Sequence, residues 1–325
     1  MVFDFCGIGN SCMDIVDYID DDFLKTWDFP KSICSYLSLS DADRLESALP
    51  NPQYIAGGCA ANTASIIMAL GGKASFIGRV AKDSIGQMFI DDMNARGIHF
   101  PSKPDETEGA GSTRVFALIT PDTERTFAAY YGVQEDLSVK DLDEESIRRS
   151  KFMYLDGYAL NSKRGGEAFL KAADIVHEAG GKAVFSPSDI SILKNYADVV
   201  SRIMKVSDII LCNEQEAKYI AGTDSLENAI AHLQQNFSAG SVTAGAAGVH
   251  VFDKTAIYHV PAATPPAPVI DTNGAGDAFA GGFLFGLSRG LPLPRAAALG
   301  NICASVIITH AGARPVTDYK AFLDV

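Results

Sequence analysis

Positive charge is what this chain is shortest of. Its 325 residues include 27 Lys and Arg against 40 Asp and Glu, a net charge of −13, and no basic block interrupts the acidic excess. That argues against a nucleic-acid or anionic-membrane partner, but not against a small phosphate ligand, which needs only a local site. No apolar run reaches the roughly 18 residues of a membrane span. The opening MVFDFCGIGNSCMDIVDYIDDD lacks the basic start of a secretion signal, so a cytoplasmic protein is expected. The six cysteines form no C-x-x-C pair and the six histidines no H-x-x-x-H pair. Reduced, mostly buried thiols are therefore expected, and a His-rich metal site is not. The chain also lacks the G-K-[ST] of a P-loop and the G-x-G-x-x-G order of a dinucleotide fingerprint.

What is present is an ordinary globular composition, 47% hydrophobic, in which short apolar runs alternate with helical periodicity. Strands are predicted at 2–9, 73–78, 151–156, 182–186 and 207–212, with a hairpin over 249–260. Helices are predicted at 59–70, 84–96 and 164–179, from about 214, at 225–236, from near Gly274 after a strand ending in Val269–Ile270, and at 294–309. This predicts one α/β domain over 1–325, with a mostly parallel sheet covered by helices. Two stretches break the alternation. Residues 12–56 are acidic and rich in Ser without a strong sheet-core pattern, and 109–132 hold two β-rich runs around the turn PDTE. Both are read as a small β lid, with Gly109, Gly111, Gly57 and Gly58 at its hinges.

Open α/β sheets bind ligands outside the carboxyl ends of their strands. Asn10 and Asp14 fall after the first strand, Gly57, Gly58 and Asn62 around the start of the first helix, and Asn213 and Glu216 after SDIILC. In DTNGAGDAFAGGF (271–283), a glycine-rich turn passes into a helix, whose free N–H groups and dipole make an anion site, with Asp277 in the first turn. Each residue has a plainer reading. Asn213 could be only an N-cap, Asn62 a packing amide, Asp14 a solvated acid and Asp277 an acid favoured by the dipole.

The three stretches together resemble a family. DTNGAGDAFAGGF is similar to the C-terminal signature of the ribokinase-like, or pfkB, carbohydrate kinases. IAGGCAANTASIIMALGGKASFIGRVAKDSIG (55–86) resembles their N-terminal signature, and NEQEA (213–217) their N-x-x-E motif. The resemblance implies a ribokinase-like three-layer α/β sandwich with a β lid, and transfer of the ATP γ-phosphate to a hydroxyl. It implies that Gly274, Ala275 and Gly276 form an anion hole, with Asp277 as the base. Asn213 and Glu216 would orient water around ATP-bound Mg²⁺. Asn213, Thr243, Gly245, Gly248, Asn273 and Asn301 would contact ATP, and Asp271 would belong to a loop for a monovalent cation such as K⁺. Asp14, Asn10, Gly57, Gly58 and Asn62 would hold the acceptor. Asn301 has a strong packing alternative. Ala246 and Ala81 depart from residues common in the family, at positions without a catalytic role.

The opening GIGNSCMDIVDYIDDDFL is similar to the start of adenosine kinases, and Phe116, Phe127, Tyr130 and Tyr131 could stack on a base or simply pack within the lid. An adenosine-type nucleoside kinase is favoured. A ribose- or fructose-type sugar kinase is the alternative, and a catalytically weak sensor a third reading. Monomer and homodimer are both open.

Overall fold

The computed structural model describes residues 3–323; residue 2, where the first predicted strand begins, lies outside them. Strand β1 (Phe3–Ile8) is buried at every position, as a strand covered on both faces must be. It lies between β5 (Ala74–Ile77) and β8 (Ser150–Asp156), and the sheet continues through β9 (Lys182–Ser186), β10 (Ile209–Asn213) and β11 (Ala239–Thr243), all parallel. The hairpin β12 (Val249–Asp253) and β13 (Ile257–Val260) closes the edge antiparallel.

Alternate residues of each strand feed opposite cores. Phe5, Phe152 and Tyr154 pack under the helices Cys59–Ala69, Ala275–Ser288 and Leu293–Ile307, while Cys6, Ile8, Met153 and Leu155 pack with Phe169 and Val176 of the helix Gly165–Glu178 on the other face. This is the three-layer, ribokinase-like architecture. Pairing of Asp156 with Ser186, and of Asn213 with Thr243, brings these polar strand ends to one edge of the sheet. The order reverses at β1, which runs first to β5 and then to β8, so the ligand crevice is expected beside these two strands.

A second sheet stands over that edge, in the order β3 (Cys34–Tyr36), β7 (Arg125–Tyr130), β6 (Thr113–Ile119), β2 (Cys12–Tyr18), β4 (Gln53–Ala56). One face carries Ile15, Phe116 and Leu118 into a core with Leu24 and Leu45 from the helices Asp21–Thr26 and Leu39–Ala48. The other face carries Asp14, Val16, Val115, Ala117, Phe127 and Arg125 in register.

Two expectations need correcting. Asp14 does not sit in a loop after β1 but on β2, whose alternation is hidden by Asp14 and Asp17. No strand precedes the glycine-rich turn either. Residues 261–270 include four prolines with no N–H to give a ladder, and the segment is tied instead by the N–H groups of Ile270 and Asp271 to the Ile308 carbonyl. All six cysteines are free, with Cys34 exposed on β3. Among the described residues, no helix is long and apolar enough to cross a membrane.

Candidate active site

The helix Ala275–Ser288 starts at Gly274, which has φ +77° because the turn must reverse sharply there, and a Cβ would collide with Ala313. The N–H groups of Gly276 and Asp277 lie in the first turn, where a helix supplies no acceptors, and the space at Gly276 is open. Gly281 lets this helix press on Ile66 of the helix Cys59–Ala69. That contact sets Asn62 beside Asp277, and Asn62 Nδ2 donates to Asp277 Oδ2 at 2.8 Å. Asn62 Oδ1 is buried with no partner among the described residues, so the amide is oriented by the one bond it makes. Burial raises the Asp277 carboxyl from 3.8 to about 7; the Asp156 charge adds to this, against the Asn62 and Cys59 bonds and the Arg314 charge. Asp277 is ringed by protein yet keeps part of its surface, since it opens into a cavity.

That cavity, about 130 Å³, is lined by Asp277, Gly276, Asn213, Glu216, Thr243 and Ser188 among others. Asn213 ends β10 and caps the next helix reciprocally: its Oδ1 accepts from Glu216 N–H at 2.9 Å, and Glu216 Oε2 accepts from Asn213 N–H at 2.9 Å. The cap reading is therefore correct, and it leaves Glu216 Oε1 unspent at the cavity. Burial pushes Glu216 up to about 7, with Asp189 adding to it and the Asn213 N–H opposing it. Gly245 and Gly248 flank the turn after β11 at positive φ and do not line the cavity. Asn301 donates to the carbonyls of Val260 and Pro261 at 3.3 and 2.8 Å, which fastens the segment after β13.

On the other side, Gly57 and Gly58 join β4 to the helix Cys59–Ala69. A Cβ on Gly57 would stand 2.7 Å from the Asp14 carboxylate, and one on Gly58, at φ +92°, would strike the Asn10 carbonyl. Asn10, Asp14 and the glycines thus meet at one place. Burial raises Asp14 to about 7, against the Arg314 charge and with the Asp271 charge. Asp271 Oδ1 accepts from Asn273 N–H at 2.9 Å and from Arg125 Nη1 at 3.0 Å. Burial pushes this carboxyl up, but those bonds and the Gly312 N–H outweigh it and hold it below its usual value.

An acid beside a helix-end anion site, facing a buried carboxylate across a cavity, suits phosphoryl transfer. Residues 33–318, most of the chain, match the pfkB family of carbohydrate kinases. This chain is a pfkB kinase. Family membership makes it an ATP-dependent phosphotransferase with an alcohol group as acceptor. The family uses ATP, typically with Mg²⁺. Among its relatives, fructokinase from Klebsiella pneumoniae is 30% identical, over 81% of this chain and 89% of the relative. Two solved structures, adenosine kinase from Sinorhizobium meliloti and a probable sugar kinase from Rhizobium etli, are each 31% identical with a TM-score of 0.90. Both cover 100% of this chain, and are themselves covered to 99% and 98%.

Three residues of this pfkB kinase escaped the sequence reading. Asp156, at the end of β8, accepts from Ser188 Oγ at 2.8 Å and from the N–H groups of Tyr158 and Ala60 at 3.1 and 3.3 Å. Ser188 holds φ +70°, unusual for a residue other than glycine, and lines the cavity. Arg314 is buried, with its guanidinium on the carbonyls of Ala56, Gly57 and Ala61 and on Ser65 Oγ. Their position at strand ends was the available signal for Asp156 and Ser188. Nothing local marked Arg314, since its partners lie some 250 residues earlier. Of the four aromatics, Phe116 is in the second sheet's core, and the Tyr130 hydroxyl accepts from Gly111 N–H at 3.1 Å beneath the Arg114 guanidinium. Phe127 remains on the open face.

Proposed function

We propose that this pfkB kinase phosphorylates a nucleoside of adenosine type, with Asp277 taking the proton from the attacking hydroxyl. The observation that carries the catalytic part is the Asn62–Asp277 bond at the mouth of the helix end. Asn62 Nδ2 donates to Oδ2 and so fixes the carboxylate that is to take the proton. Gly274, Ala275 and Gly276 then receive the transferring phosphoryl group on backbone N–H donors, Ala275 by giving up its bond to the Thr272 carbonyl. A divalent ion brought with ATP fits the other wall of the cavity. Glu216 keeps one oxygen free there and is anchored through the other, so Asn213 and Glu216 would hold water around such an ion. Thr243, Gly245, Gly248, Asn273 and Asn301 form the nucleotide side, Asn301 by fixing the segment at 260–261. Asp14, Asn10, Gly57, Gly58 and Asn62 hold the sugar hydroxyls, for which a carboxylate, an amide and close backbone are suited.

The full-length likeness to the Sinorhizobium meliloti adenosine kinase supports the nucleoside reading, as does the open apolar face of Val16, Val115, Ala117 and Phe127, which Asp14 shares. A planar base would cover that face. The sugar-kinase reading draws on the fructokinase likeness, and on the same polar residues, which do not distinguish a ribose from a free sugar. ADP release with adenosine, ribose and fructose in parallel separates them, with D277N as the blank. Turnover at low micromolar adenosine is expected; turnover with a free sugar alone would replace the acceptor and keep the mechanism.

A further inference from the structure

The resemblance to ribokinase implies a monovalent cation at Asp271, and the residues present do not fit one. A carboxylate offers about four lone-pair positions. At Asp271 they meet the Asn273 N–H, the Gly312 N–H and a full positive charge, the Arg125 guanidinium. A metal ion at this carboxylate would sit against that guanidinium and among donors rather than oxygen ligands.

Arg125 belongs to the second sheet. The register pairs it with Ile119 of β6, which pairs with Tyr18 of β2, so Arg125 shares the open face with Asp14. Its neighbours in the turn bond within their own unit: Asp122 to Lys31 at 2.6 Å and Glu124 to Ser32 Oγ at 2.8 Å. Arg125 alone of these three reaches across to the main body, where Asp271 is only 10% exposed. The oxygen it binds is the one that receives the Asn273 N–H, two residues before the helix end. Moving Arg125 must therefore disturb the turn that carries the anion site.

We infer that Arg125 supplies from within the chain the positive charge a monovalent cation would bring to Asp271, and that the Arg125–Asp271 pair latches the second sheet onto the anion-binding turn. This rests on the reading of residues 273–276 as that site. A charge-assisted bond held in place on closure would align the N–H donors as the cleft shuts.

The test compares wild type, R125A and R125K in potassium, sodium and choline chloride at equal ionic strength. It reads kcat/KM, and separately the amide hydrogen exchange of residues 271–276 without ligand. Wild type should vary by no more than about twofold among salts, and R125A should lose about tenfold in choline, consistent with one charge-assisted bond. Potassium should restore part of that loss, R125K should fall between, and the 271–276 amides should exchange faster in R125A. A wild-type enzyme that needs potassium would overturn the inference, as would unchanged exchange in R125A. Because exchange needs no turnover, failure of the kinase assay and failure of the latch remain distinct results.

Discussion

At the scale of the residue, the proposed chemistry turns on carboxyl groups whose surroundings oppose their charge. Burial first, then the Asp156 charge, raise Asp277 from 3.8 to about 7. A base must be ionised to act, so kcat/KM should climb with pH through about 7 and level off above it. A profile flat from about pH 5.5 upward would contradict the assignment. D277N should lose about 10²–10⁴-fold in kcat/KM. Its stability carries an independent sign. A carboxyl with a raised folded pKa contributes stability that is fully present below its unfolded pKa and is lost as pH rises through the folded one. For Asp277 that loss runs from about 4 to about 7, and Asp14 and Glu216, also raised to about 7, add to it. D277N should therefore gain in Tm relative to wild type between about pH 5 and pH 8. An inactive variant that is also less stable at the higher pH would point to a structural role for this acid.

At the scale of the element, the site is assembled by a short turn, residues 312–314. Gly312 N–H reaches Asp271, Ala313 packs on Gly274, and Arg314 gathers the carbonyls that end β4 and begin the next helix. Burial lowers Arg314 to about 10, still far above neutral, so it stays charged and supports both Asp14 and Asp277. R314M strands several buried acceptors and should cost about 3 kcal/mol or more in urea unfolding. G58A forces a side chain to φ +92° against the Asn10 carbonyl and should cost about 1–3 kcal/mol, with a raised KM for the acceptor. The elements themselves were largely readable. The Asn213 cap, the glycine-rich helix start and the strands of the main sheet each follow from local periodicity or turn chemistry. β2 was not, because its acids interrupt the alternation, nor was the shortfall before Asp271, where prolines withhold the ladder. Arg314 and the Asn62–Asp277 bond were beyond reach for another reason: the latter joins residues 215 apart, and only packing of two helices brings them together.

At the scale of the whole molecule, two sheets meet over the polar strand ends; the second has a core of its own but also gives Met13 of β2 and Ala56 of β4 to the main one. The joints differ in kind. Gly57 and Gly58 carry the backbone across beside Arg314, the Arg125–Asp271 pair is a salt link, Tyr131 accepts from Asn161 Nδ2 at 3.1 Å, and Ser112, just before β6, donates to Asp83 from N–H and Oγ at 2.8 and 2.7 Å. A unit with most of its apolar side chains in its own core can move as a body, with only the Met13 and Ala56 contacts to the main core to rearrange. Closing it would expel water from a reaction whose competing outcome is hydrolysis of ATP. Acceptor binding is therefore expected to slow amide exchange along the open-face strands β2, β6 and β7 and at 56–58, with little change in β9 and β10. The Phe116 core should stay protected throughout. ATP without acceptor should protect the strands less than the two together, because the residues proposed to hold the acceptor divide between β2 and the main body. If acceptor left β6 and β7 exchange unchanged while turnover proceeded, the second sheet would be a fixed wall, and exclusion of water would have to come from the substrates themselves.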